Sequence, residues 1–202
     1  MFERIAQQLA DRSYAIVDHF ISAKDCELLR KHIEALQSED ALRLAGTGSA
    51  HLYQKSREVR GDLIQWIDRQ KLPSPILNTL QPLLQLPQSL AEPLRAPLRD
   101  IEIHFTYYPI GRHYVKHLDV HQTNNHRLLS AILYLNENWQ EKDGGALRIY
   151  LDDTHYEDIL PTNGRLVLFA SHALEHEVLP TNRPRFSITG WLLNTPNQLS
   201  YL

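Results

Sequence analysis

Apolar positions in the first hundred residues recur mostly at helical spacing, interrupted by short runs of a different character. Phe2, Ile5 and Leu9 fall on one face of a short helix, and "YAIV" at 14–17 reads as a strand. Ser22 can cap a helix running to about Gln37, with Cys26, Leu29, Ile33 and Leu36 on its buried stripe. Residues 38–58 are polar, carry Gly and Ser, and predict a mobile loop. In "VRGDLIQWI", 59–67, Val59, Leu63 and Ile67 are expected in the core, while Arg60 and Asp62 alternate as strand residues do. Six of the eleven prolines lie between 73 and 97 among many leucines, which predicts short helices opened by proline and joined by turns.

From residue 101 the pattern becomes that of β-structure. "IEIHFTYYP", "LLSAILYLN", "ALRIYL", "GRLVLFA" and "RFSITGWLL" are short, β-branched or aromatic runs, separated by turn formers such as "DGG" and "TNG". Several strands at this spacing predict a sandwich or barrel, with the long N-terminal helix covering one sheet face.

Composition narrows the possibilities. A chain of 202 residues with 43% hydrophobic content can bury a substantial core and is expected to form one domain over 1–202. Within it, 1–100 is a helical and mixed support region and 101–195 the β-core. The formal net charge of −3 gives no general attraction to nucleic acid or to an anionic membrane, so neither is an expected partner. Cys26 is the sole cysteine, which rules out an intramolecular disulfide and suits a reducing, cytoplasmic setting. The N-terminus shows no apolar core followed by a small-residue cleavage site, and no run approaches a membrane span.

The candidate chemistry lies in "YVKHLDVHQTNNH", 114–126. On a strand, His117 and Asp119 share a face with Leu118 turned away, a spacing that suits two ligands of one metal ion. A third ligand must come from elsewhere, and His176 in "ALEHEVLP" is the best candidate. Two imidazoles and one carboxylate on one face of an octahedral ion leave three positions open, as in non-haem Fe(II) oxygenases. Arg185 follows nine positions after His176, and Arg185, Ser187 and Thr189 share one strand face. An inward-pointing guanidinium needs an anion, which a dicarboxylate cosubstrate can supply while its other end chelates the metal.

These residues resemble the 2-oxoglutarate and Fe(II)-dependent dioxygenases, and in particular the prolyl hydroxylases of the hypoxia-inducible-factor type. "FTYYPIGRHYVKHLDV", "RLLSAILYLNENWQEKDGGALRIY" and "HEVLPTNRPRFSITGW" look like core segments of those enzymes, and "VRGDLIQWI" resembles their upstream strand. The resemblance covers roughly residues 40–195 and implies a compact bacterial member of α+β, mainly β class. Its core would be a double-stranded β-helix of jelly-roll or cupin type, with N-terminal helices packed on one sheet. The loop at 38–58 would close over the substrate.

The resemblance makes His117, Asp119 and His176 the iron ligands and Arg185 the partner of the distal carboxylate of 2-oxoglutarate. Tyr134, Thr189 and Tyr108 match cosubstrate-binding positions, and Tyr114 and Trp191 match aromatics lining the active site. Asp62 and Arg127 match positions that would support the site from behind, as a pair bracing the β-core. His113, His121, His126 and His172 have a plain explanation as loop or surface residues.

The implied reaction hydroxylates a protein-borne proline at C4 with Fe(II), 2-oxoglutarate and O2, giving succinate and CO2, with L-ascorbate keeping the iron reduced. The resemblance implies a proline within a protein; a translation protein, such as an elongation factor with an exposed loop proline, is one expectation for it and a regulator of the oxygen response the alternative. Two competing readings use the same ligands: a cupin-like metal hydrolase or isomerase, which leaves Arg185 and Thr189 unexplained, and a barrel that binds without turnover. A nucleic-acid demethylase of the same superfamily would carry a second arginine six residues after Arg185, where this chain has Trp191.

Overall fold

The computed structural model describes residues 1–46, 58–120 and 126–196. Among them the chain forms α1 (Phe2–Arg12), β1 (Tyr14–Val17), α2 (Ala23–Ser38), β2 (Arg43–Leu44), β3 (Leu63–Trp66), α3 (Ser74–Leu84) and α4 (Leu86–Leu94). Then come β4 (Asp100–Tyr108), β5 (Tyr114–His117), β6 (Arg127–Tyr134), β7 (Leu147–Tyr150), β8 (Tyr156–Ile159), β9 (Leu166–Ala170), β10 (His176–Val178) and β11 (Arg185–Leu193). Most of the loop expected over 38–58, residues 47–57, lies outside the described residues, as does His121.

Local chemistry accounts for the helical boundaries. The Ser22 hydroxyl accepts a hydrogen bond from the Asp25 N–H at 3.1 Å, so α2 starts where an N-cap residue precedes a helical stripe. Cys26, Leu29 and Ile33 are fully buried on that stripe. Pro75 and Pro87 stand in the first turns of α3 and α4, where a missing N–H costs no intrahelical bond.

Two antiparallel sheets face each other. The larger runs β1-β9-β6-β11-β4-β3-β2 and the smaller β5-β10-β7-β8. Together they make a double-stranded β-helix. Central β11 is buried along nearly its whole length, because both of its faces are covered. One face sends Ile188 and Leu192 into a core shared with Ile101, Ile103 and Phe105 of β4 and with Leu29, Ile33, Leu80, Leu83 and Leu90 of the helices. The other face carries Arg185, Ser187, Thr189 and Trp191 toward the space between the sheets. A second apolar cluster joins the sheets deeper in, from Ile132, Tyr134, Val167 and Phe169 to Leu147, Ile149 and Ile159.

One expected core position differs. Val59 is 37% exposed, because β3 begins only at Leu63 and the preceding residues turn toward β5, where Arg60 bridges Tyr114. Leu63 and Ile67 do pack against the core. No helix among the described residues is long and apolar enough to cross a membrane.

Candidate active site

Pairing of β5 with β10 sets His117 directly opposite His176. β5 ends at His117, so Asp119 sits in the bend just beyond rather than on the strand, with Leu118 turned outward. One ligand atom from each of His117, Asp119 and His176 lies within 4.8 Å of the others. His117 Nε2 is 3.5 Å from Asp119 Oδ1, and His176 Nε2 is 3.7 Å from Asp119 Oδ2.

The backbone selects the tautomer of both rings. His117 Nδ1 lies 2.7 Å from the Val115 carbonyl and His176 Nδ1 lies 3.1 Å from the Leu174 carbonyl. A carbonyl can only accept, so each Nδ1 carries the proton and each Nε2 presents a lone pair to the centre. Burial pushes His176 down to about 4, which keeps the ring in its ligating, neutral form. Burial works against the Asp119 carboxylate, but its close polar neighbours, among them the Ser130 hydroxyl that donates to it, outweigh burial and hold its pKa well below the usual range. Ser130 donates to Asp119 Oδ2 at 2.6 Å and is itself 2.9 Å from Ser171 Oγ. Two neutral nitrogens and one anionic oxygen, so braced, fit a divalent first-row metal with open positions.

Arg185 is 1% exposed. Its Nε donates to the Gly145 carbonyl at 2.9 Å, while Nη2 has no protein partner, and the nearby Tyr134 hydroxyl has none either. The guanidinium carbon lies 5.1 Å from the Tyr108 ring and 5.0 Å from the Tyr134 ring, so aromatic faces clamp the cation. Gly145 adopts φ +64, and a Cβ there would come within 3.2 Å of Arg185 Cδ, so glycine serves both the turn and the close approach. A buried cation with unspent donors fits the distal carboxylate of a dicarboxylate.

One cavity is lined by His117, Asp119, His176, Arg185, Tyr108, Thr189, Tyr114 and Trp191, together with Asp62. Tyr134 joins the site at its Arg185 end, where the guanidinium carbon lies 5.0 Å from its ring. Tyr114 stacks on His117 with ring centroids 3.6 Å apart, and burial pushes its phenol up to about 12, so it stays protonated.

The expected Asp62–Arg127 pair does not form. Asp62 instead takes a two-pronged contact from Arg60, at 2.8 and 3.0 Å, and Arg127 pairs with Glu102 at 2.7 Å while lying 3.6 Å over the Trp191 ring. The physical reason is proximity. Arg60 and Asp62 are two residues apart, whereas Glu102 pairs with Trp191 on β11, and Arg127, which pairs with Leu193 from the other side of β11, reaches back over the Trp191 ring to it.

Sequence reasoning passed over Ser130, Ser171, Thr106 and His104. Ser130 had a usable signal, since it shares a strand face with Ile132 and Tyr134 and is polar where its neighbours are apolar.

Fold and ligand set together define a mononuclear oxygenase-type centre in a double-stranded β-helix. The 2OG-Fe(II) oxygenase superfamily matches residues 103–193. A prolyl-4-hydroxylase from Pseudomonas putida superposes with a TM-score of 0.86 at 35% identity, covering 97% of this chain and 100% of that one. The chain belongs to the prolyl hydroxylases of that superfamily, whose name carries the metal and cosubstrate that the site fits.

A hypoxia-inducible factor prolyl hydroxylase of Caenorhabditis elegans is 30% identical over 95% of this chain, which spans 28% of that relative's length. A Trichoplax adhaerens prolyl hydroxylase, solved with a hypoxia-inducible factor peptide, shares the fold with a TM-score of 0.79 at 22% identity, over 96% of this chain and 90% of that one.

Proposed function

We propose that this protein hydroxylates a proline residue in a protein substrate at C4, consuming 2-oxoglutarate and O2 and releasing succinate and CO2. One observation carries the reading: the cavity that holds the His117–Asp119–His176 triad also holds a fully buried Arg185 whose Nη2 is unpartnered, beside the unpartnered Tyr134 hydroxyl. A divalent metal, the Asp119 carboxylate, a dicarboxylate and Arg185 bring formal charges that cancel, which is the condition for burying them together. A hydrolase with the same ligands leaves Arg185 without a counterion.

His117, Asp119 and His176 would hold Fe(II), and the bound metal supplies the activation of O2 that accompanies oxidative decarboxylation of 2-oxoglutarate. Arg185 holds the distal carboxylate, with Tyr134 and Thr189 as hydroxyl donors. Tyr108, Ile132, Leu147 and Val178 make the walls apolar and exclude water from the reacting end. Tyr114 and Trp191 line the approach to the metal and orient the target ring.

The target we infer is a proline in an exposed segment of a protein, a translation elongation factor above a regulator of oxygen response. The buried Cys26, whose thiol burial pushes up to about 11, is inert and suits the cytoplasm as location. L-ascorbate serves as the reductant that restores Fe(II).

The test is to incubate the protein with Fe(II), 2-oxoglutarate, ascorbate and a cell extract, then search by mass spectrometry for prolines that gain one oxygen, with His117→Ala as control. Hydroxyproline that appears only with the wild type, on a protein, supports the reading. Oxidation confined to small molecules overturns it.

A further inference from the structure

His104 is fully buried on β4, on the same strand face as Thr106 and Tyr108, and it takes no part in the chemistry above. Trp66 and Trp191 wall its ring, with centroids 5.0 and 5.7 Å away. Its Nδ1 lies 2.9 Å from Thr106 Oγ1. Thr106 in turn donates to Thr189 Oγ1 at 3.2 Å, and Thr189 lies 3.3 Å from Ser187 Oγ. Strand register produces this chain, since β4 and β11 set Thr189 opposite His104 and Ser187 opposite Thr106.

The proton count gives the chain a direction. A threonine hydroxyl has one proton, and that of Thr106 is committed to Thr189. Nδ1 of His104 must then carry a proton and donate it to Thr106. The Phe105 carbonyl, 3.4 Å from Nδ1, favours the same tautomer because it can only accept. Nε2 has no partner, so a proton placed there would be an unpaired buried donor. Burial holds the imidazole down to about 3, with Arg60 and Arg127 adding to the effect and Asp62 opposing it, so the ring stays neutral under working conditions. Each donor in such a chain polarises the next.

We infer that His104 is a positioning residue: through Thr106 it fixes the Thr189 hydroxyl with its proton directed into the cavity, toward the cosubstrate held by Arg185. This rests on the reading of the cavity as the 2-oxoglutarate site. Without the His104 donor nothing holds the Thr106 hydroxyl turned toward Thr189, and Thr189 loses the fixed donor that orients it.

The experiment is calorimetric titration of 2-oxoglutarate into the Zn(II)-loaded protein, which requires no turnover, alongside the thermal midpoint of each metal-free variant. Loss of one neutral hydrogen bond predicts about a fivefold rise in Kd for His104→Leu and for Thr106→Val. His104→Asn, whose amide can donate from the place of Nδ1, should bind within about twofold of wild type although it packs less well between the indoles. That rescue is a result a purely structural role does not produce.

Wild-type binding together with unchanged Kd in His104→Leu and Thr106→Val overturns the inference, as does a His104→Asn variant as weak as His104→Leu. Failure of the wild type to bind 2-oxoglutarate overturns the cosubstrate reading itself. Should His104→Leu fail to fold, Thr106→Val, at a residue that itself lines the cavity, is read together with His104→Asn: a raised Kd in the first with near-wild-type Kd in the second supports the inference, and an unchanged Kd in Thr106→Val overturns it.

Discussion

His117 and His176 stand opposite each other across the β5–β10 ladder, and each spends its Nδ1 proton on a carbonyl two residues earlier in its own chain, Val115 and Leu174. Neither ring relies on a distant side chain for its tautomer. The two Nε2 lone pairs are therefore set by strand geometry before any metal arrives, and Asp119 completes the triad from the bend after β5.

Ser130 is the support that can be removed most cleanly. Its hydroxyl holds Asp119 Oδ2 at 2.6 Å, and an alanine there deletes one oxygen from a buried position. Ser130→Ala should weaken metal affinity by about 10- to 100-fold with the fold intact, as loss of a partner to a ligating carboxylate does. Competition titration with a metal chelator reads the affinity, and far-UV circular dichroism checks the fold.

Arg185→Met keeps the volume of the side-chain stem and removes the charge. Loss of a buried charge-assisted contact costs about 3 kcal/mol, or on the order of 100-fold in Kd for 2-oxoglutarate. Under anaerobic conditions with Fe(II), the visible charge-transfer band of the chelate should need far more 2-oxoglutarate to saturate. Metal affinity should be unaffected, because Arg185 touches none of the three ligands. A His176→Ala variant should show no band at any concentration.

Arg60→Ala probes the pair that replaces the expected Asp62–Arg127 contact. The Asp62 side chain is only 1% exposed, so removal of its partner leaves a buried carboxylate uncompensated. Burial works against the charge of Arg60, yet Asp62 more than offsets it and holds the guanidinium above its ordinary pKa. We expect a loss of about 3–5 kcal/mol in urea unfolding. The double variant Arg60→Ala/Asp62→Ala should recover part of it.

His104 also gives stability a pH dependence with a definite sign. Its folded pKa lies near 3, pushed down mainly by burial, against an ordinary 6.5 in the unfolded chain. Below 6.5 the unfolded state takes up a proton that the folded state refuses, so this contribution is complete above 6.5 and is lost as pH falls toward 3. Between pH 7 and pH 5 it amounts to about 2 kcal/mol. Urea titrations at the two pH values should show that much less acid sensitivity in His104→Leu than in the wild type.

Much of this protein is decided locally and can be read from the chain itself. The N-cap at Ser22, the proline-opened helices α3 and α4 and the β-rich runs after residue 100 all follow from short-range patterning. The spacing of His117, Asp119, His176 and Arg185, together with the resemblance it supports, points to the candidate site. Val59 escaped such reading because its apolar side chain matched the pattern of a strand that starts only at Leu63.

Tertiary structure decided the rest. Arg127 meets Glu102 because β4 and β6 both pair with β11, which leaves Asp62 to Arg60, its neighbour in sequence. The Ser130 brace on Asp119 joins residues eleven apart in sequence, and the chain from His104 through Thr106 to Thr189 exists only because β4 and β11 pair in one register. Hydrophobic periodicity specifies which face of a strand is buried. It does not specify which polar atom on a neighbouring strand will lie within 3 Å, because that distance is set by the register and packing of elements far apart in the sequence.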